Sequence, residues 1–170
     1  LLAFSGMEFT LTFLAMERLG YESIDNAYMF IFIGFIIAMV QGGYVRRKAA
    51  QVGEKKMAIQ GILFSIPGLI LIAFAANSFL LYCGLFFLAA GSSMAVPTLT
   101  SLVSLLSPPE LQGRSIGIFR SLGALARVFG PLAAAIIYWR IGDSAPYLLG
   151  SVFLLIPVFM ISRVKSSSIA

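Results

Sequence analysis

The sequence predicts an all-α membrane protein built as a bundle of six transmembrane helices. Three observations predict it. Of 170 residues, 59% are hydrophobic and 11% charged, whereas a soluble domain carries about 25% charged residues. So few charges leave no way to cover a water-facing surface, and the solvent is lipid. Apolar runs close to the ~20 residues that cross a bilayer recur six times. Basic residues gather in alternate connections, as in multi-pass proteins. The alternating ten-residue pattern of membrane β-strands does not occur, and composition excludes disorder.

The spans follow in order. The first covers residues 1–19 and carries Glu8 inside it. The second, 27–45, is nearly charge-free. The third is 57–76, and Asn77-Ser78 turns the chain into a fourth at 79–106. The fifth covers 115–139 and the sixth 147–162. Residues 1–162 therefore form one six-helix transmembrane unit, and 163–170 a polar, serine-rich tail. The sequence opens at Leu1 inside an apolar run with no charged segment ahead of it. It reads as starting partway through a longer protein.

Loop charge sets the orientation. Arg46, Arg47, Lys48, Lys55, Lys56, Arg114, Arg163 and Lys165 fall on one side, and Arg18 and Arg140 on the other. The second group is accompanied by Glu17, Glu22, Asp25 and Asp143. The split of eight against two places the basic side, and both ends of the chain, in the cytoplasm of an integral multi-pass protein. The net charge of +5 thus reports topology, and nucleic acid is not expected as a partner. Tyr28, Tyr138, Trp139 and Tyr147 are expected at the opposite interface, where amphipathic rings collect.

Pro67, Pro97, Pro131 and Pro157 lie inside the third to sixth spans, where proline kinks a helix. In the fourth, Gly84, Gly91, Ala95 and Thr98 share a face. Small residues there admit close helix approach, or, with Ser92 and Ser93 beside them, line a cavity; both readings stand.

Glu8, Arg120 and Arg127 are ionisable residues inside spans, each a functional candidate because charge at mid-bilayer costs at least about 2.5–3.5 kcal/mol. Glu8 lies roughly 16 Å from one end of its span and Arg127 roughly 18 Å from the same end of its own, so their depths nearly match. Arg120 is seven residues before Arg127 on the same face, near enough to the basic end to snorkel. Gly113, Gly117, Ala124 and Pro131 complete that stripe. One reading makes Glu8 a proton-carrying carboxylate, with Arg127 its partner or the binder of an anionic solute. The other makes the two a permanent ion pair between helices. The chain has no histidine, which removes Ser–His catalysis, haem ligation and histidine-containing metal sites. Cys83 is the single cysteine and allows no intramolecular disulfide. No catalytic activity, cofactor or metal is expected.

The run from Gly113 through Arg120, Gly123, Arg127 and Gly130 to Pro131 resembles the eleventh helix of major facilitator superfamily carriers of the drug:proton antiporter type. Its Gly130-Pro131 pair is similar to the antiporter motif of that family. Gln41-Gly42-Gly43-Tyr44-Val45-Arg46-Arg47-Lys48 resembles the second-half copy of the family's Gly-x-x-x-Asp-Arg cytoplasmic-loop motif, with Arg46 standing where an aspartate is usual. Phe4-Ser5-Gly6-Met7-Glu8 adds to the resemblance. It implies helices seven to twelve, the C-terminal half of a major facilitator fold, with Gly84, Gly91, Pro97, Gly117, Gly123, Gly130 and Pro131 as packing or motif positions. It also implies alternating-access, proton-coupled transport of small organic solutes, either organic anions or drug-like compounds. The partners would be the bilayer, a six-helix N-terminal half of the same chain, the solute and protons. The competing reading is a non-transporting membrane scaffold or degenerate carrier.

Overall fold

The computed structural model describes residues 2–163, apart from the side chain of residue 50. The expected tail beyond Arg163, with Lys165, lies outside the described residues. Helix α1 is Leu2–Leu19, α2 Ser23–Met39, α3 Arg46–Val52 and α4 Glu54–Ala73. They are followed by α5 Ser78–Leu106, α6 Gln112–Ile141, α7 Ala145–Phe153 and α8 Leu155–Arg163. A π-helical turn, Val40–Val45, joins α2 to α3, and a 3₁₀ turn, Pro109–Leu111, precedes α6. The chain is an all-α bundle of six spans.

Local chemistry sets the ends. Glu22 and Asp25 form a reciprocal capping box at the start of α2, the Glu22 amide donating to Asp25 Oδ2 at 2.9 Å. Asn77 caps α5, accepting from the Leu80 amide at 2.8 Å. Gly53 turns the chain between α3 and α4 at φ +83°, a backbone state that favours glycine.

Three expectations change. The motif Gln41–Lys48 is helical rather than a loop: the second span runs through the π turn and α3 to Val52, because no residue breaks it before Gly53. The sixth span is interrupted at Leu154, between α7 and α8. Pro157 has no N–H for the Phe153 carbonyl and its ring crowds that turn. Pro67, Pro97 and Pro131 sit inside α4, α5 and α6, which continue past them. Finally, the interfacial belt is partial. Tyr28 and Trp139 are exposed, but Tyr138 (4% exposed) and Tyr147 (0%) are buried within the protein.

Five stretches are long and apolar enough to cross a membrane: Ser23–Ala49, Glu54–Ala73, Ser78–Leu106, Pro109–Ile141 and Ala145–Arg163. Helix α1 holds Glu8, Glu17 and Arg18 within its 18 residues. Large side chains such as Phe35, Phe79, Leu132 and Ile136 point outward, as lipid-facing residues do.

Apolar helices gain nothing from leaving lipid for each other, so close packing holds the bundle together. Antiparallel α4 and α5 meet through glycines. A Cβ on Gly61 would lie 2.7 Å from the Gly91 carbonyl oxygen, and one on Gly68 2.8 Å from that of Gly84. The small face of α5 is therefore a helix contact, with Gly84, Gly91, Ala95 and Thr98 all buried. Parallel α1 and α6 touch in the same way at Gly6 and Gly130. Gly123 is buried in α6. Gly42, Gly43, Gly113 and Gly117 face open space and pack against nothing described. Leu14, Met29, Leu69, Ile72, Leu81, Leu85 and Tyr147 fill the core between these pairs.

Candidate functional site

The antiparallel order gathers Arg46, Arg47, Lys48, Lys55, Lys56, Arg114 and Arg163 at one end of the bundle, the basic end. Between α1, α2, α5 and α6 a cavity of about 480 Å³ opens on the face of the bundle, with Tyr147 of α7 beneath it. Its walls are mostly apolar, from Phe4, Leu11, Ile33, Ile37, Leu85 and Leu88. Its polar groups are Ser5, Glu8, Gln41, Ser92, Ser93 and Arg127. An apolar pocket with a few converging polar groups is the usual form of a small-molecule site.

Glu8 and Arg127 thus share one cavity. They form no ion pair and no hydrogen bond with each other, and neither side chain has such a partner among the described residues. Ser5 Oγ donates to the Arg127 carbonyl oxygen at 3.3 Å, which sets Arg127 level with Ser5. Glu8 lies three residues further along α1, so the two charges are offset by about one helical turn, ~5 Å. Arg120 is exposed and does not line the cavity. Ser92 and Ser93 donate to the carbonyls of Ala89 and Ala90 at 3.1 and 2.7 Å, which leaves their oxygens free to accept.

Two features escaped the sequence reading. Gln41 lines the cavity with Glu8 and Arg127; its signal was available, as the only amide side chain between Ala27 and Tyr44. The second is a polar network at the end opposite the basic one. Arg18 pairs with Asp143 through Nε, and donates to the Ala73 carbonyl at 2.8 Å and Ser144 Oγ at 2.6 Å. Ser144 in turn donates to the Ala73 carbonyl at 2.7 Å. This ties the ends of α1 and α4 to the turn between α6 and α7. The hydrogen bond from Arg18 holds the Asp143 carboxyl below its ordinary range, against the opposing effect of burial. Nearby, Tyr138 donates to Glu17 at 2.6 Å, and deeper down Thr10 donates to Tyr147 at 3.1 Å. Buried tyrosines need such partners, which is why these two left the interface. Among the described residues no group of three or more Cys, Asp or Glu side chains has metal-site geometry.

The sequence model of the Major Facilitator Superfamily matches residues 1–131. Major facilitator superfamily domain-containing protein 10 of Mus musculus is 36% identical over 166 residues, which cover 97% of this chain and 36% of that protein. The class E tetracycline resistance protein of Escherichia coli is 30% identical over 122 residues, covering 72% of this chain and 30% of that one. The crystal structure of the human organic anion transporter MFSD10 superposes with a TM-score of 0.88 at 36% identity, covering 94% of this chain and 37% of the other. The chain spans about a third of the length of these relatives.

Proposed function

The chain belongs to the major facilitator superfamily, and from that premise we propose that it is the second six-helix half of a proton-coupled carrier for small organic anions. The observation that carries the reading is the cavity, where Glu8 and Arg127 stand one turn apart, each without a partner among the described residues. A permanent structural pair would close on itself. An unpaired carboxylate facing an unpaired guanidinium is instead arranged to exchange partners, with Arg127 taking a solute anion and Glu8 a proton.

A second six-helix half of the same chain closes the open side of the cavity, and the two halves rock about it. The excess of basic residues supports a cytoplasmic basic end. The anionic class of the solute is supported by Arg127 and by the similarity to a transporter described as one for organic anions.

The test is uptake by the full-length carrier in proteoliposomes under an imposed pH gradient. Glu8→Gln abolishes gradient-driven accumulation while leaving membrane insertion unchanged. Normal proton-driven uptake by that variant ends the reading.

A further inference from the structure

We propose that Gln41 is a solute-binding residue of this cavity, reading a neutral hydrogen-bonding group of an organic anion whose carboxylate lies on Arg127. The inference rests on the carrier reading above and adds the chemistry of the solute's second group.

Ile33, Ile37 and Gln41 follow one another at four-residue spacing, and all three line the cavity. The next residue in the series, Val45, is buried against Met57 and Met94. An amide therefore occupies one position of an otherwise apolar helix face. Among the described residues its side chain has no hydrogen-bond partner. Gln41 is exposed, so its amide is free to meet a solute in the cavity that it lines. It also sits in the π-helical turn Val40–Val45, a rare wide turn that is frequent at functional sites.

Depth defines the solute. Arg127 is 14 residues from the end of α6 at Ile141 and Ser92 is 14 from the start of α5 at Ser78. Both are roughly 21 Å from the end opposite the basic one. Gln41 is 18 residues from the start of α2 at Ser23, or roughly 27 Å. Along the helix axes the backbone of Gln41 thus lies about 6 Å beyond that of Arg127, toward the basic end. An aromatic carboxylate with an amide in the para position matches that axial offset. The apolar walls from Phe4, Ile33, Ile37 and Leu88 then cover its ring.

The experiment uses the full-length carrier in proteoliposomes and two radiolabelled anions of equal charge and nearly equal shape, 4-acetamidobenzoate and 4-isobutylbenzoate. The wild type takes up the acetamide with the lower KM. Gln41→Met, which keeps the length and removes the amide, raises KM for the acetamide about tenfold. It leaves KM for the isobutyl compound and the pH profile of uptake unchanged, and Gln41→Asn restores part of the preference. A Gln41→Met carrier that still discriminates between the two anions as the wild type does overturns the assignment of Gln41 and leaves the carrier reading standing. A wild-type carrier that takes up neither anion, with Arg127→Gln indistinguishable from it, overturns the carrier reading and the assignment together.

Discussion

Gly6 and Gly130 hold α1 and α6 in direct backbone contact. A Cβ on Gly6 would lie 2.7 Å from the Gly130 carbonyl oxygen, and one on Gly130 3.1 Å from the Gly6 amide nitrogen. Gly6 is two residues before Glu8 and Gly130 three after Arg127, so the crossing fixes α1 against α6 close to both charges. Gly130→Ala is expected to destabilise the purified carrier by about 1–3 kcal/mol, because helix backbone cannot yield as a side chain does. Gly117→Ala, which meets open space, is expected to change stability by no more than about 0.5 kcal/mol. Thermal unfolding in detergent compares the two, and equal midpoints for both variants refute the crossing as a constraint.

The α4–α5 contact is more demanding. Gly91 faces the Gly61 carbonyl at 2.5 Å and the Ser65 amide at 2.7 Å from its ideal Cβ position. Gly91→Ala forces two helices apart at a central contact of the bundle. The expected loss is about 3 kcal/mol, the upper end of overpacking costs. It should appear as reduced yield of folded carrier on size-exclusion chromatography, and as a lower melting temperature than Gly130→Ala. A melting temperature equal to wild type contradicts it.

Arg127 and Arg120 share a helix face but not a site. Arg127 lines the cavity and Arg120 does not. Arg127→Gln should raise KM for a carboxylate solute at least tenfold, the scale set by a lost charged hydrogen bond of about 1.5–3 kcal/mol. Arg120→Gln should leave KM within about twofold, the order expected for a group outside the cavity. Initial-rate uptake separates them, and equal effects would mean that Arg120 acts on the solute as well.

Asp143 gives a pH dependence of known sign. Its pairing with Arg18 lowers the carboxyl below its ordinary value. The stabilisation is therefore present above the unfolded-state pKa and is lost as pH falls through the depressed value. Wild-type carrier should lose melting temperature as the medium is acidified below about pH 4, the ordinary aspartate range. Asp143→Asn should be less stable at neutral pH by about 0.5–1 kcal/mol, since Asp143 is 38% exposed and screened by solvent. Its melting temperature should respond less than the wild type's across the acid window. Parallel curves for the two proteins would show that the pair contributes nothing.

Composition and spacing alone determined that the chain is all-α and membrane-spanning, and which end is basic. These follow from energies that act on one residue at a time: transfer of apolar side chains, the cost of an unsatisfied backbone in lipid, the missing N–H of proline. Glu8 and Arg127 stood out because each is expensive where it lies. What the sequence left open was every question of which face meets which. Whether Gly84 and Gly91 admit a helix or a solute was decided by Gly61 and Gly68 on α4, more than a dozen residues away along the chain. The hydrogen bonds of Tyr138 and Tyr147 to α1 drew both rings inward, although their positions near helix ends suited an interface equally well. Gln41 gained meaning only when the bundle placed it in the lining of the cavity that Arg127 shares. Lipid exposes all faces of an apolar helix to the same solvent, so periodicity carries little about which side is inside. That information resides in pairwise packing and hydrogen bonds, which exist only once the helices have met.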